Sequence, residues 1–155
     1  ASEKYAAEKN NPVQYNIEIK SSPAGDGNAH PAIPVFTELV VKTLQDLGTL
    51  NKTIIQSFDI RPLQYLHQKY TGLQTSLLIS GTDKRTLDEQ LNELGFVPAF
   101  YSPHYSLVTA ELLKQCHQKN MKVIPWTVNS KKEIEQLKAL GVDGIITDYP
   151  DLFNE

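Results

Sequence analysis

Asn16, Glu18 and Lys20 alternate along the run Tyr15-Asn16-Ile17-Glu18-Ile19-Lys20. That spacing puts three polar side chains on one face of a β-strand, with Tyr15, Ile17 and Ile19 on the other. A carboxylate with oxygen donors beside it suits a hard divalent cation such as Mg²⁺ or Ca²⁺. A neighbouring ammonium can hold an anionic group such as phosphate. The isoleucines favour a strand. A half-exposed antiparallel strand would show the same alternation, and a Glu18–Lys20 ion pair or an exposed strand end is the plainer reading. The surrounding elements decide what the three residues face.

Around this strand, at about 14–20, the sequence reads as repeating strand–helix units. Ser21 to Pro34 is rich in Ser, Gly, Asn and Pro and reads as a long loop leaving the strand's C-terminal end. Helices are expected at about 35–47, 60–69, 84–93, 106–119 and 131–140, and further strands at about 53–58, 73–79, 97–101, 122–128 and 143–147. Gly48, Gly95 and Gly141 sit where helices should stop, and Asp59 and Ser130 where they should be capped. Strands that alternate with helices in this way imply a parallel sheet covered on both faces, where an unpartnered Glu or Lys is expensive. Units of near-constant length suit a (β/α)₈ barrel, and a complete one takes about 250 residues. With 155 residues, the expected fold is α/β: the C-terminal part of a TIM-like (β/α)₈ barrel, a single domain over residues 1–155, with the N-terminal strands outside it. A flavodoxin-like sheet is the weaker alternative, because no glycine-rich phosphate loop or dinucleotide fingerprint is present.

Composition narrows the partners. The net charge of −3 gives no basic footprint for nucleic acid. No apolar run approaches the roughly 20 residues of a membrane helix. Cys116 is the only cysteine, so neither an internal disulfide nor a cysteine metal cluster can form, and a packing role is expected for it. No signal-peptide pattern opens the sequence, and Ala1–Lys9 reads as helix before Asn10-Asn11-Pro12.

Other polar residues carry plainer expectations. His30 lies in the long loop and is expected to be solvated there. His67 and His117 fall on helices and read as surface residues. His104 follows a strand and could face the barrel mouth. Asp59 reads as a helix cap, Asp148 as a turn residue, and Trp126 as either core or cleft.

Five segments taken together resemble a known family: Asn16-Ile17-Glu18-Ile19-Lys20, Ile54-Ile55-Gln56-Ser57-Phe58, Ser102-Pro103-His104-Tyr105, Trp126-Thr127-Val128-Asn129 and Gly144-Ile145-Ile146-Thr147-Asp148-Tyr149-Pro150. In this order and separation they are similar to the C-terminal half of glycerophosphodiester phosphodiesterases. The resemblance implies a metal-dependent phosphoric diester hydrolase that yields an alcohol and glycerol 3-phosphate. It makes Glu18 a ligand of the divalent metal, Mg²⁺ or Ca²⁺, places Lys20 beside the phosphate, and puts Trp126 along the substrate cleft. The family's histidine-arginine-glycine motif, acidic pair and histidine-aspartate motif do not occur in this sequence. The general acid and base histidines are therefore expected from an N-terminal part of the same protein, with no catalytic residue of that kind in this segment, which alone would be inactive. That N-terminal part should also pair with the edge of the strand carrying Glu18. A non-catalytic partial barrel that binds a phosphorylated ligand or a partner chain is the alternative.

Overall fold

A computed structural model describes residues 2–153, so Ala1 of the expected first helix lies outside the described residues. The chain divides into two compact units, Ala1–Gln74 and Thr75–Glu155.

In the first unit, helix α1 (Ser2–Glu8) precedes strand β1 (Tyr15–Glu18), helix α2 (Ile33–Asp46), strand β2 (Thr53–Ser57) and helix α3 (Ile60–Lys69). β1 and β2 are parallel, in register from Tyr15 beside Thr53 to Glu18 beside Gln56. Ile19 and Ile55 share one side of this pair with Val41 and Leu44 of α2 and Leu66 of α3, and Ile17 packs against them. Removing side chains of this size from water stabilises by roughly 1.5–3 kcal/mol each. The odd-numbered positions of β1 therefore belong to the core, and Asn16 and Glu18 are turned to the opposite side. α2 starts two residues earlier than the composition suggests, because Pro34 is tolerated in its first turn. Asp59 caps α3 by accepting the Arg61 amide N–H. α2 and α3 are cross-linked by Glu38, whose carboxylate accepts Tyr65 Oη at 2.8 Å, Lys69 Nζ at 2.6 Å and Tyr70 Oη at 2.7 Å. Hydrogen bonds from Lys69 first, then Tyr70 and Tyr65, hold that carboxyl down at about 2.

The second unit runs β3 (Gln74–Ile79), α4 (Leu87–Leu94), β4 (Phe100–Pro103), α5 (Ala110–Gln118), β5 (Lys122–Val123) and α6 (Lys131–Leu140). β3 pairs with β4 and β4 with β5, both in parallel. Each helix has a side-chain cap: Thr86 and Glu89 form a reciprocal capping box on α4, Thr109 accepts the Leu112 amide on α5, and Ser130 accepts the Glu133 amide on α6. Gly141 ends α6 at φ 91°, a left-handed conformation that glycine alone adopts without a Cβ penalty. Val128, Ile134 and Leu137 are buried together beneath α6, and Cys116 is fully buried on α5. Burial pushes its thiol up to about 12.

The sixth expected strand, 143–147, is not a regular strand. Its chain is extended and bonded, with Asp143 N–H to Val123 O at 3.0 Å, Ile146 N–H to Pro125 O at 2.9 Å and Val128 N–H to Ile146 O at 2.9 Å. On this side the Val123 N–H goes to the Asp143 carboxylate at 2.8 Å and Pro125 has no N–H to give back, so no regular ladder forms. On the other side Trp126 N–H still bonds Pro103 O at 3.1 Å. No helix among the described residues is long and apolar enough to cross a membrane.

Candidate active site at the end of the first strand

Glu18 is the last residue of β1, and Lys20 follows two residues on. Register puts Glu18 beside Gln56 of β2. The Asn16 amide nitrogen donates to Gln56 Oε1 at 2.9 Å, which uses the N–H of that side chain and not its oxygen. Glu18 is about a quarter exposed and Lys20 Nζ lies 4.0 Å from Glu18 Oε2, with the lysine side chain 82% exposed. A pair that long and that wet contributes little to stability. The strand end is thus exposed and holds two opposite charges in reach of a ligand. A pocket of about 330 Å³ opens here, bordered by Glu18, Lys20, Ser22, His30 and Phe58.

A larger cavity of about 530 Å³ lies elsewhere in the same unit, between Gln45, Thr53 and Tyr70. No carboxylate, histidine, lysine or arginine lines it. It also adjoins the start of β2, whereas chemistry on barrels sits at the C-terminal strand ends. The smaller pocket has Glu18 and Lys20 on its rim and lies at the C-terminal end of β1.

The backbone around Lys20 is held on both sides. Ser57 Oγ donates to Ile19 O at 2.7 Å and accepts the Asp59 N–H at 3.1 Å. Ser21 Oγ donates to Asp59 Oδ2 at 2.8 Å. Burial works against the Asp59 carboxylate, yet the bonds from Arg61 and Ser21 leave it below the usual range. His30 is not the solvated residue expected from its loop position: its side chain is 6% exposed. Nδ1 donates to Pro31 O at 2.9 Å, and Nε2 lies 3.1 Å from both the N–H and the O of Ser22 and 3.8 Å from Asp26 Oδ1. A loop histidine becomes a scaffold when its own loop folds over it.

In the second unit, Trp126 is half-buried and its indole N–H donates to Ser102 O at 2.9 Å. His104 meets Trp126 edge-on at 5.3 Å and shares an isolated parallel bridge with it. The His104 side chain also accepts the Ser106 N–H at 3.3 Å, capping the turn Tyr105–Leu107. Asp148 accepts Asn129 Nδ2 at 2.8 Å, and Asn129 Oδ1 in turn accepts the Asp148 N–H at 3.0 Å, which makes Asp148 a turn residue. His67 and His117 are exposed, and His117 bonds Asp143 at 2.9 Å.

A hard cation would find in Glu18 an accessible carboxylate of the right chemistry. Among the described residues, however, no group of three His, Cys, Asp or Glu side chains is placed to hold a metal ion. Glu18 fits as one member of a ligand set that these residues do not complete.

The sequence profile of the glycerophosphoryl diester phosphodiesterase family matches residues 3–152. The chain belongs to that family. A Bacillus subtilis glycerophosphodiester phosphodiesterase is 29% identical over 150 residues, 92% of this chain and 48% of the relative. The family chain spans about half the length of the curated relatives it matches. Among solved structures, one from Silicibacter pomeroyi assigned as a glycerophosphoryl diester phosphodiesterase has a TM-score of 0.78 and 27% identity, over 95% of this chain and 50% of that one. An Oleispira antarctica phosphodiesterase, solved with the product sn-glycerol-3-phosphate, shares the fold at a TM-score of 0.71 and 16% identity, over 92% of this chain and 56% of that one. The phosphodiesterase-family chain is thus α/β, parallel strands alternating with helices as part of a TIM-like barrel. Sequence reasoning overlooked Gln56 and Arg61 beside its candidate site. The alternation that singled out Asn16 would have found Gln56 on β2, and the Asp59-Ile60-Arg61 spacing at a helix start would have found Arg61.

Proposed function

We propose that the protein hydrolyses glycerophosphodiesters, releasing an alcohol and glycerol 3-phosphate. The observation that carries this reading is the meeting of Glu18 and Lys20 over a pocket at the C-terminal end of β1, in a chain whose family profile runs from residue 3 to residue 152. Glycerol 3-phosphate bound to the Oleispira antarctica relative supports the product class. Glu18, with Asn16 near it, supplies one carboxylate to a Mg²⁺ or Ca²⁺ ion. Such an ion, when bound, polarises phosphoryl oxygens and neutralises charge that develops on them. Lys20 holds the phosphate by its ammonium, which a long, exposed side chain can bring to an anion without disturbing the strand.

Proton transfer falls to histidines from an N-terminal part of the same protein. In β1 the odd positions bond towards β2, as Ile19 N–H does to Gln56 O. The backbone groups of Asn16 and Glu18 therefore face the outer edge, where a further strand from that N-terminal part would satisfy them. The second reading, a non-catalytic module that binds a phosphorylated ligand or a partner chain, is favoured by the lack of the histidine motifs in these 155 residues.

The test is release of glycerol 3-phosphate from sn-glycero-3-phosphocholine and its ethanolamine counterpart by the full-length protein, stripped of metal and resupplied with Mg²⁺ or Ca²⁺. Glu18→Ala should abolish the metal-dependent turnover while the circular dichroism spectrum stays unchanged. Turnover with undiminished metal dependence in that variant would remove Glu18 from the ligand set. A full-length protein that binds glycerol 3-phosphate and turns over neither diester would favour the module.

A further inference from the structure

The structure assigns Arg61 as a positioning residue for the rim of the Glu18–Lys20 pocket, acting through Asp59 and Asp26 on the loop that leaves Lys20; the functional part of this assignment rests on the phosphate role of Lys20 proposed above. The Arg61 fork lies between two carboxylates. Nε and Nη2 reach Asp59 at 2.9 and 2.7 Å, and Nη1 and Nη2 reach Asp26 at 2.6 and 3.2 Å. Asp59 is on the rigid side: it is 6% exposed, caps α3 and accepts Ser21 Oγ. Asp26 is on the loop side, within the glycine-containing segment after Lys20, and is 41% exposed. One guanidinium therefore ties the middle of that loop to the start of a helix.

The loop between these ties is folded on itself. Gly25 N–H bonds Ser22 O at 2.9 Å, Gly27 N–H bonds His30 O at 2.9 Å, and Ser22 N–H bonds His30 Nε2. Ile19 O is fixed by Ser57 and Ser21 Oγ by Asp59, so the Lys20 backbone is bracketed and only its side chain remains free. Beyond these bonds of its own, the loop has an anchor to the start of α3 at its far end. Asp26 supplies that anchor through Arg61. The Asp26 contact is not needed by α3, whose cap is the Arg61 amide bond to Asp59. It serves the loop alone. A planar fork can satisfy two carboxylates at once, whereas a lysine at the same position offers one point charge.

The discriminating variant is Asp26→Asn in the full-length protein, because it releases the loop and leaves the Asp59 cap and the core intact. Amide exchange at Ser22, Gly25 and Gly27 should accelerate about tenfold or more, with exchange across Ile54–Ser57 unchanged. Affinity for inorganic phosphate, measured by calorimetry, should fall about fivefold or more, as expected when a binding group is displaced by a fraction of an ångström. Arg61→Lys should show most of the same loss, and Arg61→Ala with Asp26→Asn should lose little beyond Arg61→Ala alone, since the guanidinium–carboxylate contact is shared and Asp26 keeps only a 3.8 Å approach to His30 Nε2 besides it. Unchanged loop exchange would overturn the assignment. So would faster exchange with phosphate affinity intact, or losses that add in the double variant. A wild-type protein that binds no phosphate would instead strike the proposed role of Lys20, and the loop exchange rates would still decide whether Arg61 orders the rim.

Discussion

Ser57→Ala is the most informative single change to the scaffold, because one buried hydroxyl joins three parts of the site. Ser57 is fully buried. Its Oγ donates to Ile19 O, between Glu18 and Lys20, and accepts the N–H of Asp59, which caps α3 and receives Ser21. Alanine removes both bonds and changes the side-chain volume little. Each neutral hydrogen bond is worth about 0.5–1.5 kcal/mol net, and a buried group left unpaired costs about 1–3 kcal/mol. The sum is a loss of about 1–3 kcal/mol. With a urea slope of about 1–3 kcal/mol/M, the unfolding midpoint should fall by roughly 1 M at constant slope. Thr43→Ala is the control, since Thr43 Oγ1 donates to Leu39 O at 2.7 Å on an exposed helix face. Water replaces that bond, and a change within about 0.5 kcal/mol is expected. If Ser57→Ala costs no more than Thr43→Ala, the bridge through Ser57 does not hold the strand end, and the bracketing of Lys20 fails with it.

The Glu38 cross-link between α2 and α3 predicts a pH response with a definite sign. Its carboxyl is held at about 2 against an ordinary 4.5, so its stabilisation is complete above about 4.5 and is lost as the pH falls from there towards about 2. Glu38→Gln should flatten the fall in Tm over that range, and an unaltered acid limb would show that the cross-link is not felt. Gly25→Ala should destabilise by about 1–3 kcal/mol in thermal or urea unfolding. An added Cβ would lie 2.8 Å from His30 Nε2 and 3.3 Å from Ser22 Oγ, and the pinned imidazole has nowhere to go; a neutral result would mean that the His30 ring yields.

Where local chemistry dictated an element, the sequence was enough. Asp59 starts α3, and Ser130 and Gly141 bound α6, at the residues their capping chemistry implies. Boundaries slipped where a stronger local signal was passed over. α4 begins at Leu87 and not near 84 because Thr86 and Glu89 form a capping box, and α5 begins at Ala110 because Thr109 caps it after a separate turn. The strand expected from Val97 begins at Phe100, after Pro98, which has no N–H for a ladder. Asn16, Glu18 and Lys20 were visible because period-two spacing is a local property. Arg61 with Asp26, and His30 with Ser22, were not, since each contact depends on how a loop folds back across 8 or 35 positions. No periodicity records such a fold.

Cys116 and Trp126 are the single cysteine and the single tryptophan of the chain, and both lie within Thr75–Glu155. The thiol is sealed and raised to about 12, so a thiol reagent attacks it only when that unit opens. Trp126 emission reports the same unit, through an indole whose N–H is tied to Ser102 O. Neither probe resides in the Ala1–Gln74 unit, which contains Glu18, Lys20 and the Arg61 clasp. Tyrosines are its natural reporters, among them Tyr65 and Tyr70 on the Glu38 carboxylate. Tyr101, Tyr105 and Tyr149 lie in the Thr75–Glu155 unit as well, so thiol labelling and indole emission follow that unit alone, and a tyrosine change that precedes both reports the opening of the other.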